Sequence, residues 1–370
     1  MIRRFNRAQC PAFTVALVCT LWLSLSSGAA RAHEPPTEPG QRETADVYRE
    51  LIQRKLAAYN AAFPEIHFVH FEGGELWHGE MVALKAFLGT ESAPLDYEHP
   101  PHLRPELMEA TLARLVHVLR QNVISATAFR LPADNATGRG NLCVVTLNRQ
   151  HAAASDFETT RDMFGLEKAV AGKISHARYL NTVDYVEFAV DHEVFHCLAS
   201  VYVGGAPIVR KEFGAEYNQY RRESASDAFA LAMHIRAHGA ITPYARNITH
   251  VRALGLLSNR PDHCTFKTTR EILKIKPETL AAMSPRDLMA FARQTAERWI
   301  DSYDAYVDWR IAALQAARIV GLASFSDADL RRETEQRPAA KEQVELLVKR
   351  YRYYYEQLFT DTELSFDILP

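Results

Sequence analysis

The segment from Asp191 to Cys197 contains residues whose types and spacing could do chemistry. His192 and His196 lie four residues apart, and Glu193 follows the first histidine directly. On an α-helix this spacing places both imidazole rings on one face, one turn apart, where they can share one metal ion. The Glu193 carboxylate then lies beside the pair and can act as a general base toward an attacking water. The pattern, H-E-x-x-H, is typical of zinc-assisted hydrolysis.

The residues around the motif favour the helix that this chemistry needs. Segment 182–190 leads into the motif with helical apolar spacing, and Thr182 or Asp184 can cap its first turn. The run Gly204-Gly205-Ala206-Pro207 then ends the helix. Because the flanking residues are apolar, the histidines and the glutamate would be costly to bury unless a metal ion paired with them.

A catalytic zinc ion usually has a third protein ligand and one water. The metzincin extension of the motif is absent, because Ala199 and Tyr202 stand where that pattern has glycine and histidine. A second helix, predicted from about residue 214 to 238, offers Glu223 and Asp227 on one face. Glu223 can reach the metal, and Asp227 can accept the far N–H of a ligand histidine.

These two segments together resemble the gluzincins, the thermolysin-like superfamily of zinc metallopeptidases. The resemblance rests on H-E-V-F-H at 192–196 and on E-S-A-S-D at 223–227, and it covers roughly residues 142–240. It implies one Zn²⁺ ion per chain bound by His192, His196 and Glu223. It also implies that Glu193 is the general base and that Asp227 orients a ligand.

The gap between the second histidine and the ligand glutamate is longer here than in thermolysin. Glu216, two turns before Glu223 on the same face, fits the shorter gap better. It lacks an acid four residues later, where Tyr220 stands, so we favour Glu223, which Asp227 can support. No motif assigns the donor that would stabilise the oxyanion. The candidates are Tyr217, Tyr220, His234, His238 and His250.

The composition is that of an ordinary globular chain. Of its 370 residues 47% are hydrophobic and 24% are charged, enough for one large or two modest domains. The formal net charge of −2 includes four arginines in residues 1–32, so the remainder is more acidic. This balance, without a long basic run, argues against a nucleic-acid partner.

The N-terminal residues 1–32 predict a secretory signal peptide. Arg3, Arg4 and Arg7 precede an apolar run from Ala12 to Ser26, and Ala30-Arg31-Ala32 matches a cleavage site. We therefore expect a secreted or periplasmic protein with no membrane span after signal removal. An uncleaved anchor is the alternative.

Three cysteines, Cys143, Cys197 and Cys264, lie beyond the predicted signal. In an oxidising compartment two of them can pair. We expect Cys143 to pair with Cys264, because Cys197 lies inside the motif helix. Three buried thiols are the alternative.

The predicted fold is α+β, with a zincin-like catalytic core that combines a small sheet and two zinc-site helices. Residues 33–140 form a mostly helical N-terminal region with a short strand near 67–71, residues 141–265 the core, and residues 266–370 a helical C-terminal region. Segment 142–148 is the clearest strand. It is either an edge that binds an extended substrate or an internal strand.

The sequence therefore predicts a zinc-dependent peptidase that hydrolyses peptides or proteins. The alternative is a catalytically inactive, peptidase-like module that binds zinc or peptide.

Overall fold

The computed structural model describes residues 39–73, 126–131, 141–148, 155–164, 172–202, 215–253, 261–298, 303–320, 327–357 and 360. The predicted signal peptide and the turn at 204–207 lie outside the described residues. Within them the protein is mostly helical with a small sheet, in agreement with an α+β fold.

The sheet contains β1 (Ile66–Gly73), β2 (Ala126–Leu131) and β3 (Asn141–Asn148) in the order β1-β3-β2. β1 is parallel to β3 and β2 is antiparallel to it. The strands predicted near 67–71 and 142–148 are confirmed, whereas β2 was not predicted. Because β3 is paired on both sides, the alternative of an internal strand is confirmed, and the alternative of an edge that binds an extended substrate is wrong. The boundary drawn between residues 140 and 141 separates β2 from β3, which pair in this one sheet.

Helices account for most of the remaining described residues. In chain order they are α1 (Pro39–Ala62), α2 (Asp156–Phe164), α3 (Thr182–Tyr202), α4 (Ala215–His238), α5 (Pro243–Ala253), α6 (Phe266–Leu273), α7 (Pro277–Ala281), α8 (Pro285–Glu297), α9 (Tyr303–Ile319), α10 (Asp327–Gln336) and α11 (Pro338–Gln357). None of these helices is long and apolar enough to cross a membrane.

Three of the C-terminal helices begin at a proline. Pro277, Pro285 and Pro338 occupy the first positions of α7, α8 and α11, where the missing N–H has no intrahelical acceptor. Ser284 adds a capping box to α8. The part of 266–370 that the structure describes is helical, as expected.

α3 and α4 form the centre of the core and run antiparallel, since Asp184 contacts His238 and His196 contacts Glu223. On α4, the face that carries Glu223, Asp227 and His234 also carries Ala230, which is fully buried and whose small side chain allows a close approach of the two helices. Gly239 ends α4 with a φ of 65°, a left-handed conformation that glycine adopts at little cost.

The cap of α3 differs from the expectation. Asn181, rather than Thr182 or Asp184, caps the helix: its Oδ1 accepts a hydrogen bond from the Asp184 amide at 3.0 Å. Thr182 is instead held from outside the helix, because its amide donates to Asp156 Oδ1 at 2.7 Å. The start of α3 is therefore fixed against α2.

α1 fixes α3 from the opposite side. Asp191, fully buried and directly before His192, accepts hydrogen bonds from Tyr59 Oη at 2.6 Å and from Lys55 Nζ at 2.9 Å. Because breaking such a buried charged pair is costly, these contacts set the position of α3 along the core.

The disulfide joins Cys143 on β3 to Cys197 on α3, with 5.9 Å between their Cα atoms. The expected pairing of Cys143 with Cys264 is therefore wrong, and Cys264 is buried elsewhere, with its Sγ 3.8 Å from the Ala253 carbonyl oxygen. The position of Cys197 inside the motif helix does not exclude it, because α3 packs on the sheet and brings this residue against β3.

Candidate metal centre

His192, His196 and Glu223 converge between α3 and α4. His192 Nε2 lies 3.0 Å from Glu223 Oε2 and 3.2 Å from His196 Nε2, and His196 Nε2 lies 3.7 Å from Glu223 Oε2. His192 and Glu223 are buried, and His196 is partly exposed. This group could hold a metal ion.

The spacing of the three atoms fits a tetrahedral ion. Ligands about 2.0–2.1 Å from a zinc ion, at tetrahedral angles, lie about 3.3 Å from one another. The observed separations of 3.0, 3.2 and 3.7 Å lie around this value. The side chains are therefore placed for a small cation without rearrangement of either helix.

The hydrogen bonds of His192 determine which of its nitrogens faces the cluster. Nδ1 lies 2.8 Å from Asp227 Oδ1, an ionised carboxylate oxygen that can only accept, so Nδ1 carries the proton. Asp227 also accepts from Arg252 Nη2 at 2.8 Å and from the Thr265 hydroxyl. His192 Nε2 is thus the nitrogen that faces Glu223 Oε2, and without a proton or metal ion each of these atoms presents a lone pair to the other. Two such atoms 3.0 Å apart repel each other unless a positive charge lies between them.

Glu223 gives the clearest sign of a ligand. Its Oε1 accepts a hydrogen bond from Gln219, whereas its buried Oε2 makes none. Buried carboxylate oxygens normally have partners, because an unpaired one carries a large desolvation cost. Oε2 instead lies within 4 Å of three imidazole nitrogens, those of His192, His196 and His263. A metal ion bound by the first two histidines would supply the missing partner.

The electrostatics of the cluster favour a cation. Burial opposes ionisation of Asp227, but the Arg252 guanidinium and His192 hold the pKa of this carboxyl at about 2. Burial also opposes ionisation of Glu223, yet the imidazoles of His196, His263 and His192 hold its pKa well below the usual range. Burial would lower the pKa of His192, but Asp227 and Glu223 raise it to about 10. Positive charge is thus favoured at His192 Nε2, whether as a proton or as a metal ion.

The other residues predicted for this site lie in different places. Glu193 is half-buried on α3, directly after His192. Glu216, the competing candidate for third ligand, is exposed and forms an ion pair with Arg310 on α9. The structure brings Glu223, and not Glu216, beside the histidines.

The tyrosines considered as oxyanion donors pack elsewhere. Tyr217 and Tyr220 are buried against Tyr306 of α9, with ring centroids 5.0 and 4.9 Å apart. His234 lies near the C-terminal end of α4, where its Nε2 is 2.7 Å from Thr242 Oγ1. These contacts give each of the three side chains a packing role away from the cluster.

His263 belongs to the site and was missed by sequence reasoning. It ends a 3₁₀ turn (Pro261–His263), and its ring stacks on that of His192, with centroids 6.5 Å apart. Its Nε2 lies 3.6 Å from Glu223 Oε2, and its Nδ1 lies 3.0 Å from Asp262 Oδ2. It stands 67 positions after His196 and belongs to no local motif, so nothing in the sequence pattern pointed to it.

Replacing Asp227 with asparagine is expected to weaken zinc binding about ten- to a hundredfold, because the amide holds the His192 Nδ1–H less strongly and loses the charge that makes Nε2 basic. Competition with a zinc-sensitive dye measures the dissociation constant. Asp262→Asn is the matched control, because that carboxylate contacts His263 rather than His192, and it should change the constant only a few-fold. Unchanged binding by Asp227→Asn would contradict the orienting role.

Comparison of the chain with protein-family models, with curated proteins and with solved structures found no match.

Proposed function

We propose that this chain is a zinc-dependent peptidase whose residues 141–265 form a zincin-like catalytic core. The observation that carries the proposal is the buried Glu223 Oε2, which makes no hydrogen bond and faces the Nε2 atoms of His192 and His196. Two imidazole nitrogens and one carboxylate oxygen are a ligand set that zinc accepts in catalytic sites, which keep a fourth position for water or substrate.

When bound, zinc would lower the pKa of a water molecule and polarise the scissile carbonyl group. Glu193 would take the proton from the attacking water and pass it to the leaving amine. Glu193 directly follows the ligand His192 but does not belong to the group of three ligands, which supports this role. Asp227 would hold His192 with Nε2 directed at the cluster, as its hydrogen bond to Nδ1 indicates.

We propose His263 as the donor to the oxyanion, in place of Tyr217, Tyr220 and His234. Its Nε2 lies 3.6 Å from Glu223 Oε2, and its Nδ1 lies 3.0 Å from Asp262 Oδ2, which holds the ring in this position. An N–H donor at this position could stabilise the negative charge that develops on the carbonyl oxygen.

We place the protein outside the cytoplasm, secreted or periplasmic, on two grounds. Residues 1–32 have the pattern of a signal peptide. Cys143 and Cys197 form a disulfide, and disulfides persist in oxidising compartments.

The test is chelator-sensitive cleavage of a mixed peptide library, read by mass spectrometry. We expect the purified full chain to cleave peptide bonds, to lose this activity when a chelator removes the metal, and to regain it when Zn²⁺ is added. A zinc-loaded protein that leaves the whole library intact would contradict the proposal and favour an inactive, peptidase-like binding module.

A further inference from the structure

A second group of potential ligands lies between the same two helices, away from the first. It consists of Asp184 and Glu187 near the start of α3 and His234 and His238 at the end of α4. One ligand atom from each of the four lies within 4.8 Å of all the others. Asp184 is eight residues before His192, or about 12 Å along the helix, so the two groups are separate.

Helix dipoles explain part of this arrangement. Acidic residues are favourable near a helix N-terminus and histidines near a C-terminus, which is where the two pairs lie. His238 Nε2, 3.6 Å from Asp184 Oδ1, also fits an ordinary surface ion pair. The dipoles do not, however, explain the environment of His234.

His234 is only 2% exposed, and its Nδ1 atom is buried without a hydrogen-bond partner. Its Nε2 lies 2.7 Å from Thr242 Oγ1, which also accepts the Ala245 amide at 3.1 Å. If Nε2–H donates to this oxygen, Nδ1 keeps a lone pair inside the protein. Metal-binding histidines commonly have this arrangement, in which the far nitrogen donates to a fixed oxygen and the near one binds the ion.

We propose that Asp184, Glu187, His234 and His238 bind a second divalent ion of the zinc type, which clamps the start of α3 to the end of α4. Two imidazoles select a transition-metal ion of this kind over calcium or magnesium, which prefer oxygen ligands. With four protein ligands the site is closed, as structural zinc sites are, so its role is structural and not catalytic.

The side chains can close around such an ion. Tetrahedral ligands lie about 3.3 Å apart, and the four atoms lie within 4.8 Å of one another, so no separation must contract by more than about 1.5 Å. His238 is exposed and both carboxylates are only half-buried, so these three can move toward the fixed His234 by changes of rotamer. The positions of α3 and α4 need not change.

The test is a zinc titration of the full chain, with bound metal counted by elemental analysis after gel filtration. We expect two ions per wild-type chain and one per chain for His238→Ala, whose exposed position makes misfolding a minor concern. Glu187→Gln, nearly identical in shape, should weaken the same site. His176→Ala, an exposed histidine outside both groups, is the matched control and should keep two ions.

The variant Glu223→Ala separates this inference from the proposed function. It removes a ligand of the first group only, so the variant should still bind one ion, at the second group. The double variant Glu223→Ala/His238→Ala should bind none. If His238→Ala and Glu187→Gln bind as much zinc as the wild type, the second site does not exist. One ion in the wild type that Glu223→Ala removes, while His238→Ala keeps it, would also overturn the inference.

Discussion

Replacing Glu193 with glutamine is expected to abolish peptide hydrolysis while leaving zinc binding at the first group unchanged. Glutamine has nearly the same shape as glutamate but cannot accept a proton from the attacking water. Because Glu193 is not one of the three converging ligand atoms, the metal affinity should stay within a few-fold of the wild-type value. General-base catalysis typically contributes about 10²–10⁴-fold, so kcat/KM should fall by at least this factor.

The measurement is kcat/KM on any peptide that the wild type cleaves, with zinc content determined on the same samples. Glu278→Gln, at an exposed position on α7, is the matched control and should retain wild-type values for both. A Glu193→Gln protein that holds zinc and cleaves peptides at the wild-type rate would exclude Glu193 as the general base.

Replacing Glu223 with alanine should remove tight zinc binding from the first group. The change deletes one of three ligands together with the carboxylate that lies within 4 Å of both histidines. The loss of affinity should exceed the ten- to hundredfold expected for Asp227→Asn, which leaves every ligand in place. Activity should be lost together with the metal.

Glu216→Ala is the matched control, since it removes a glutamate two turns away on the same helix that pairs with Arg310. Both changes are best made in a His238→Ala background, so that zinc at the second group does not contribute to the titration. Retention of zinc by Glu223→Ala, with its loss from Glu216→Ala, would show that the third ligand had been chosen wrongly.

Much of the candidate centre could be predicted because its residues follow helical periodicity. The four-residue spacings of His192 with His196 and of Glu223 with Asp227 place each pair on one helix face. The preference for Glu223 over Glu216 came from the acid four residues later. The structure shows the corresponding contact, with Asp227 2.8 Å from His192 Nδ1.

Features that depend on how distant segments pack could not be predicted in the same way. Cys197 pairs with Cys143 because α3 lies on the sheet, and the position of Cys197 in its own helix carries no information about that contact. His263 reaches the cluster on a short turn remote in sequence. The central position of β3 depends on β2, a six-residue strand without a clear alternating pattern.

The second group of ligands also depends on how distant segments pack, and it could not be predicted from the sequence. His234 and His238 share a helix face by their spacing, yet their partners Asp184 and Glu187 lie about 50 residues earlier. The antiparallel packing of α3 and α4 decides that these pairs meet, and no local pattern encodes it. The sequence alone therefore suggested His234 as an oxyanion donor, a role that its contact with Thr242 does not support.

The most direct test of the metal centre is an anomalous-scattering map, recorded at the zinc absorption edge, from crystals of the full chain grown with Zn²⁺. We expect a peak between α3 and α4, about 2.0–2.2 Å from His192 Nε2, His196 Nε2 and Glu223 Oε2. A map without a peak among these three atoms, or with the ion bound by Glu216 in place of Glu223, would contradict it.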